Sequence, residues 1–136
     1  GFVSAYVAAR REDIQALVLY YPAFVLQDDA KERNPDWDEP GHVFQDDPSF
    51  GVSAIYARDA LSFDIYEVIV GYHRDVLIVH GDRDTVVPLA YSERAVAVYD
   101  HAELKIINGA GHGFYSGEPF RISTQYAKDF LTSHIQ

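Results

Sequence analysis

Asp84 and His112 are the two residues of this 136-residue chain whose types and placement could do chemistry together. Asp84 lies in the run Val76 to Pro88, VLIVHGDRDTVVP, and His112 lies in the later segment GAGHGFY. A carboxylate that accepts a hydrogen bond from one imidazole nitrogen fixes the ring's tautomer and steadies its cationic form. The other nitrogen can then take a proton from a nucleophile. These are two of the three members of a Ser-His-Asp system. Gly109, Gly111 and Gly113 surround His112 and allow its loop to turn sharply. An isolated Gly-His-Gly would read as a solvent-facing loop histidine; the pairing with the HGDRDTVVP segment is what points to catalysis.

Both residues follow β-branched apolar runs of strand length. In an open parallel sheet, neighbouring strands lie about 5 Å apart and their ends set loops side by side, so Asp84 and His112 can meet despite their separation in sequence. The rest of the chain supplies the layers. Phe2, Ala5, Tyr6 and Ala9 have helical spacing, with Arg10 and Arg11 at the negative end of the dipole, and Ala16 to Tyr21 reads as a buried strand ended by Pro22. From Gln27 to Ser49 the pattern dissolves into eight acidic and two basic residues with three prolines. Such a stretch is a lid, a binding loop or a solvated excursion. Phe50, Ala54, Ile55 and Leu61 could form one face of a short helix. A second follows Asp64, a candidate N-cap, with Ile65, Val68, Ile69 and Tyr72 as its stripe. Strand Val76 to His80, helix Leu89 to Tyr99, strand Leu104 to Ile107 and helix Arg121 to Ser133 complete an α/β alternation. The last helix carries Ile122, Tyr126 and Phe130, widened by Ala127 and Leu131. Helices alternating with strands predict a parallel sheet.

Composition limits the partners. The chain has 48% hydrophobic residues and the length of one domain. Against 21 acidic residues stand 11 basic ones, net −10, and no basic cluster exceeds Arg10-Arg11, so neither nucleic acid nor an anionic membrane is expected as a partner. No apolar run approaches the roughly 20 residues that cross a bilayer. Cysteine is absent, which excludes disulfides and thiolate metal sites. A cytoplasmic location is the expectation. Methionine is absent too, including at position 1, and Gly1-Phe2-Val3-Ser4-Ala5 opens a helix without a cap signal, as if the sequence began inside a longer protein.

The pattern H-G-x-x-D-x-x-V-P, met by His80, Gly81, Asp84, Val87 and Pro88, and G-x-G-H, met by Gly109 to His112, resemble the acid and histidine motifs of the serine α/β-hydrolases. The likeness extends over essentially the whole chain and implies the C-terminal part of that fold: about three parallel strands flanked by helices. Within that family YPAFVLQDDA and IYARDALSFDIYE resemble segments of cinnamoyl and feruloyl esterases, with a cap-like insertion at about residues 24 to 64. The resemblance implies hydrolysis of a small carboxylic ester, with hydroxycinnamoyl esters among the candidates, through an acyl-enzyme, and no cofactor. It makes Asp84 the acid, His112 the base, and Asp29 and Tyr56 candidates for binding a ring hydroxyl; an acidic loop residue and a helix tyrosine could equally be solvated or packed. The family's nucleophile sits in a G-x-S-x-G elbow, which would lie a few residues before Gly1. Ser4 lacks the flanking glycines and reads as a helix-packing serine. The chain by itself is then expected to lack esterase activity. It is also expected to self-associate through the strand edge at Ala16 to Tyr21, whose usual neighbour strand precedes Gly1.

Other readings compete. Asp82-Arg83-Asp84-Thr85-Val86 also spells the D-x-D-x-T-V nucleophile motif of haloacid-dehalogenase-type phosphatases, although His80-Gly81 intervene between strand and first aspartate. His80, Asp82 and Asp84 could supply nitrogen and oxygen ligands to a metal. A non-catalytic module that keeps the fold for binding is a third class. Outside these readings, His80 is a buried strand-end histidine satisfied by backbone, and Asp82 holds its own turn.

Overall fold

The computed structural model describes residues 1–134. In chain order the elements are α1 (Phe2–Ala8), β1 (Leu17–Tyr20), α2 (Leu26–Arg33), α3 (Ala54–Ala60), α4 (Ile65–Ile69), β2 (Val76–Gly81), α5 (Leu89–Val98), β3 (Ala102–Ile107) and α6 (Gly117–His134). They divide into two compact units, Gly1–Phe24 with Ile65–Gln136, and Val25–Asp64.

The first unit is a three-stranded parallel sheet in the order β1-β2-β3. Leu17 pairs with Val76 and Tyr20 with Val79; on the other side Val76 pairs with Ala102 and Gly81 with Ile107. All six residues of β2 are buried, which explains why VLIVHG is apolar almost throughout and does not alternate. Successive side chains leave a strand on opposite faces. Leu77 and Val79 therefore join Ile107, Ala110 and Phe114 in a buried cluster, against which Ile122, Tyr126 and Phe130 of α6 pack. The Tyr20 hydroxyl donates to the Ser123 carbonyl at 2.8 Å and ties β1 to that helix. His80 points the other way and reaches Ser92 of α5. Helices thus cover both faces, and the loops after β1, β2 and β3 gather at one edge of the sheet.

In the second unit α2 packs against α3, and Gln27 Nε2 donates to the carbonyls of Ala60, at 2.7 Å, and Phe63. Here the structure corrects several expectations. Helix α2 occupies part of the stretch from Gln27 to Ser49 that carries no apolar period, and its buried residues are only Gln27 and Ala30. Of the apolar face expected from Phe50, Ala54, Ile55 and Leu61, Leu61 is buried, but Phe50 and Ile55 are 67% and 59% exposed, and α3 buries Ala57 instead. In the first unit Ser4 is exposed and does not pack α1 against its neighbours, and Leu131 lies outside the α6 stripe. No helix among the described residues is long and apolar enough to cross a membrane.

Candidate active site

Asp84 sits in the turn that leaves β2, and the turn is built around its carboxylate. Oδ1 accepts the backbone N–H groups of Val86 at 2.9 Å and Val87 at 2.8 Å, an arrangement in which an aspartate folds the following residues around itself. Oδ2 is 2.9 Å from His112 Nδ1, which donates because a carboxylate oxygen only accepts. The Asp84 side chain is fully buried and that of His112 is 29% exposed. Burial pushes the Asp84 carboxyl up, but the Val87 amide, the His112 ring and the Val86 amide together hold it below the ordinary aspartate value. The acid is therefore an anion aimed at the imidazole. Among the described residues no hydrogen bond reaches His112 Nε2, the nitrogen that would receive a proton.

Two features bring the loops together. Gly81 ends β2 where the Ala110 carbonyl approaches so closely that a Cβ would collide with it. Across that contact Arg83 N–H donates to Ala110 O at 2.9 Å, and Gly109 N–H donates to Asp82 Oδ1 at 2.6 Å. Asp82 thus holds the neighbouring loop and not its own turn, which corrects the expectation for it. Gly109 has φ of 77°, in the left-handed region where a side chain is strained, and this lets the chain reverse after β3 and carry His112 back over the sheet edge. Replacing Gly81 by alanine is expected to destabilise the fold by about 1–3 kcal/mol, the range for forced overpacking, and to widen the gap between Asp84 and His112. Urea unfolding measures the first effect. A Cm equal to that of the unsubstituted protein would mean that the loops separate at no cost.

One residue of the site has no signal in the sequence. Tyr21, the first residue after β1, has φ of 35° although it is an aromatic residue preceding proline. Both properties disfavour that conformation. Its ring centroid is 4.6 Å from that of His112 and 5.0 Å from that of Phe114, so the strained residue forms a wall against the imidazole. Backbone strain of this kind persists where the surroundings over-determine it, as the pairing of Tyr21 N–H with Val79 O at 2.9 Å does here.

The alternative chemistries do not fit these contacts. Asp82 Oδ1 accepts the Gly109 N–H, and Asp84 is committed to two amides and His112, so the second aspartate of the D-x-D pair is not free to handle a leaving-group proton. His80 has both ring nitrogens engaged, to Ser92 Oγ and Val87 O. No group of three or more metal-ligating side chains suited to an ion occurs among the described residues.

The other two candidates belong to the Val25–Asp64 unit. Tyr56, on α3, lines a cavity of about 320 Å³ together with Arg33, His42, Asp46 and Asp47. His42 Nε2 in that wall is buried without a partner. Asp29 lies on α2, one turn before Arg33, and does not line that cavity.

No family model and no curated protein matches the chain. Solved structures do. Est1E from Butyrivibrio proteoclasticus aligns over 98% of this chain and 56% of its own, with 24% identity and a TM-score of 0.80. The same protein with ferulic acid bound aligns with a TM-score of 0.74 at 24% identity, over 97% of this chain and 54% of its own. A monoacylglycerol lipase from Paleococcus ferrophilus aligns with a TM-score of 0.70 at 16% identity, over 98% and 65%. The chain thus spans between about half and two thirds of the length of these proteins. What it shares with them is the fold: a partial α/β-hydrolase fold, with three parallel strands between helices.

Proposed function

We propose that this chain supplies the acid and the base of a serine-type carboxylic-ester hydrolase. The observation that carries the reading is the 2.9 Å contact from His112 Nδ1 to an Asp84 carboxylate whose other oxygen is held by two backbone amides. No G-x-S-x-G occurs in the 136 residues, so the nucleophilic serine and the oxyanion donors come from outside them.

The chemistry follows from the dyad. As the serine oxygen attacks the ester carbonyl, His112 Nε2 takes its proton and Asp84 steadies the imidazolium. Collapse of the tetrahedral intermediate breaks the bond to the alkoxy oxygen, and His112 returns the proton to the departing alcohol. Water then attacks the acyl-enzyme with His112 again as base, releasing the acid and restoring the serine. The developing imidazolium is favoured because its partner is already an anion and needs no reorganisation.

The acyl group we assign is a hydroxycinnamoyl or short acyl chain. Support comes from the structural neighbour solved with ferulic acid and from Tyr56 in the wall of a polar cavity. Tyr56 would donate to the ring hydroxyl from that wall, and Asp29, which lies on α2 outside the cavity, is the second candidate, as an acceptor. The intact protein should hydrolyse methyl ferulate and short p-nitrophenyl esters with a burst equal to the enzyme concentration, and absence of both burst and turnover overturns the reading. For the acyl group, the preference for p-hydroxycinnamoyl over plain cinnamoyl esters is expected to fall by about 10-fold in Asp29→Ala and Tyr56→Phe, the size of one lost hydrogen bond. An unchanged ratio returns both residues to a structural role.

A further inference from the structure

We propose that His80, held between Val87 and Ser92, is a positioning residue for the Asp84 carboxylate; this rests on the ester-hydrolase reading of Asp84 and His112. His80 is wholly buried in β2, where its neighbours in the strand are Val, Leu, Ile and Val. A polar ring in such a place lowers stability unless its nitrogens are matched. Here both are, and the matching fixes the ring in one state. Nε2 is 2.8 Å from the Val87 carbonyl, which only accepts, so Nε2 carries the proton. In the neutral ring Nδ1 is then an acceptor, and the Ser92 hydroxyl donates to it at 2.6 Å. The reversed tautomer would set the Nε2 lone pair against the Val87 oxygen and against Asp84 Oδ2, which is 3.2 Å away.

The consequence for Asp84 is twofold. His80 grips the carbonyl of Val87, the residue whose own N–H holds Asp84 Oδ1, so the turn that aims the carboxylate is anchored to the central strand. The positive end of the same Nε2–H also faces Oδ2, the oxygen that receives His112, and favours its negative charge. The Val87 carbonyl sets the tautomer, Ser92 on α5 satisfies Nδ1, His80 holds the turn and Asp84 orients His112. In metal sites, partners of this rank contribute about 10- to 100-fold.

Two isosteric variants separate the donor from the bulk. In His80→Gln the terminal amide nitrogen stands near the place of Nε2 and can still donate to Val87 and Asp84. In His80→Asn the amide reaches only the place of Nδ1. Turnover by the intact protein is expected to fall about 10- to 100-fold in kcat for His80→Asn with KM unchanged, and to stay within about 3-fold for His80→Gln. Equal losses, or none in either, overturn the proposal. Two spectroscopic readouts stand apart from esterase activity, so the proposal can fail or hold whatever becomes of the hydrolase reading. Two-bond proton–nitrogen correlations should show His80 as the Nε2–H tautomer, and still so in Ser92→Ala, because the acceptors at Nε2 remain. The His112 Nδ1 proton, sheltered by its bond to Asp84, should be visible in the unsubstituted protein and in His80→Gln and lost to exchange in His80→Asn. An Nδ1–H tautomer at His80, or a His112 proton indifferent to both variants, overturns the assignment.

Discussion

Replacing His112 by alanine in the intact protein is expected to lower kcat for ester hydrolysis by about 10⁴- to 10⁶-fold, with KM little changed. The ring is 29% exposed and stands in a loop after β3, so its removal leaves no core cavity and the fold should survive. What disappears is the acceptor for the serine proton, and with it the donor to the leaving alcohol. Because both steps lie between ground state and product, the loss appears in kcat and kcat/KM alike. Stopped-flow release of p-nitrophenol distinguishes the outcomes: the burst should vanish together with steady turnover. A variant that keeps the burst and loses only turnover would show that a base other than His112 activates the nucleophile. One that keeps both would remove the ester-hydrolase reading.

Much of the sheet was legible because its central strand is buried on both faces. A run such as VLIVHG has no polar positions to spare, and its position before HGDRDTVVP set Asp84 at the strand's C-terminal end without any need for tertiary information. The glycines around His112 likewise announced a tight loop, and two of the three, Gly109 and Gly113, do take positive φ. Helix α2 was illegible for the converse reason: LQDDAKER has no apolar stripe, and the residues that seat it are an alanine and a glutamine whose amide caps two carbonyls of the α3–α4 connection. That anchoring is a tertiary hydrogen bond, which no local period reports. Phe50 and Ile55 misled because a helical spacing of apolar residues marks a face without saying which way it turns.

His80 is the buried, backbone-satisfied histidine the sequence suggested; what sequence reasoning missed is the place of Tyr21 and the tie from His80 to Ser92. Tyr21 is placed by a backbone conformation that its residue type disfavours, and His80 by contacts to residues 7 and 12 positions away. A pattern of residue types, even the H-G-x-x-D-x-x-V-P that contains His80, reports neither kind of placement. By contrast the nearness of the Asp84 and His112 loops follows from topology once β2 and β3 are adjacent and parallel, since Gly81 pairs with Ile107 and each loop departs from the same edge.

Asp84→Asn should separate the acid's catalytic part from its structural part. In catalysis the amide can keep the geometry yet offers an N–H where Oδ2 accepted one, which favours the imidazole tautomer with its lone pair at Nδ1 and its proton at Nε2. That ring cannot take the serine proton, and a fall of about 10⁴-fold in kcat at neutral pH is expected, the size seen when a triad carboxylate becomes an amide elsewhere. In stability the sign follows from the direction of the shift. Burial raises the Asp84 carboxyl, and the Val87 amide, His112 and the Val86 amide more than reverse this, so the folded protein binds its proton less readily than the unfolded chain does. The anion therefore stabilises the fold fully above the unfolded value of about 3.9, and that contribution is lost as pH falls through the lower folded value. An asparagine has no such titration. Urea unfolding at pH 7, 5, 4 and 3 should then show the variant less stable than the unsubstituted protein at pH 5 and above, with the gap shrinking below about pH 4 as the carboxylate in the latter is neutralised. A gap that stays constant from pH 7 to pH 3 would mean that the two amides and the imidazole do not favour the anion, and the carboxylate would lose its place as the charged partner of His112.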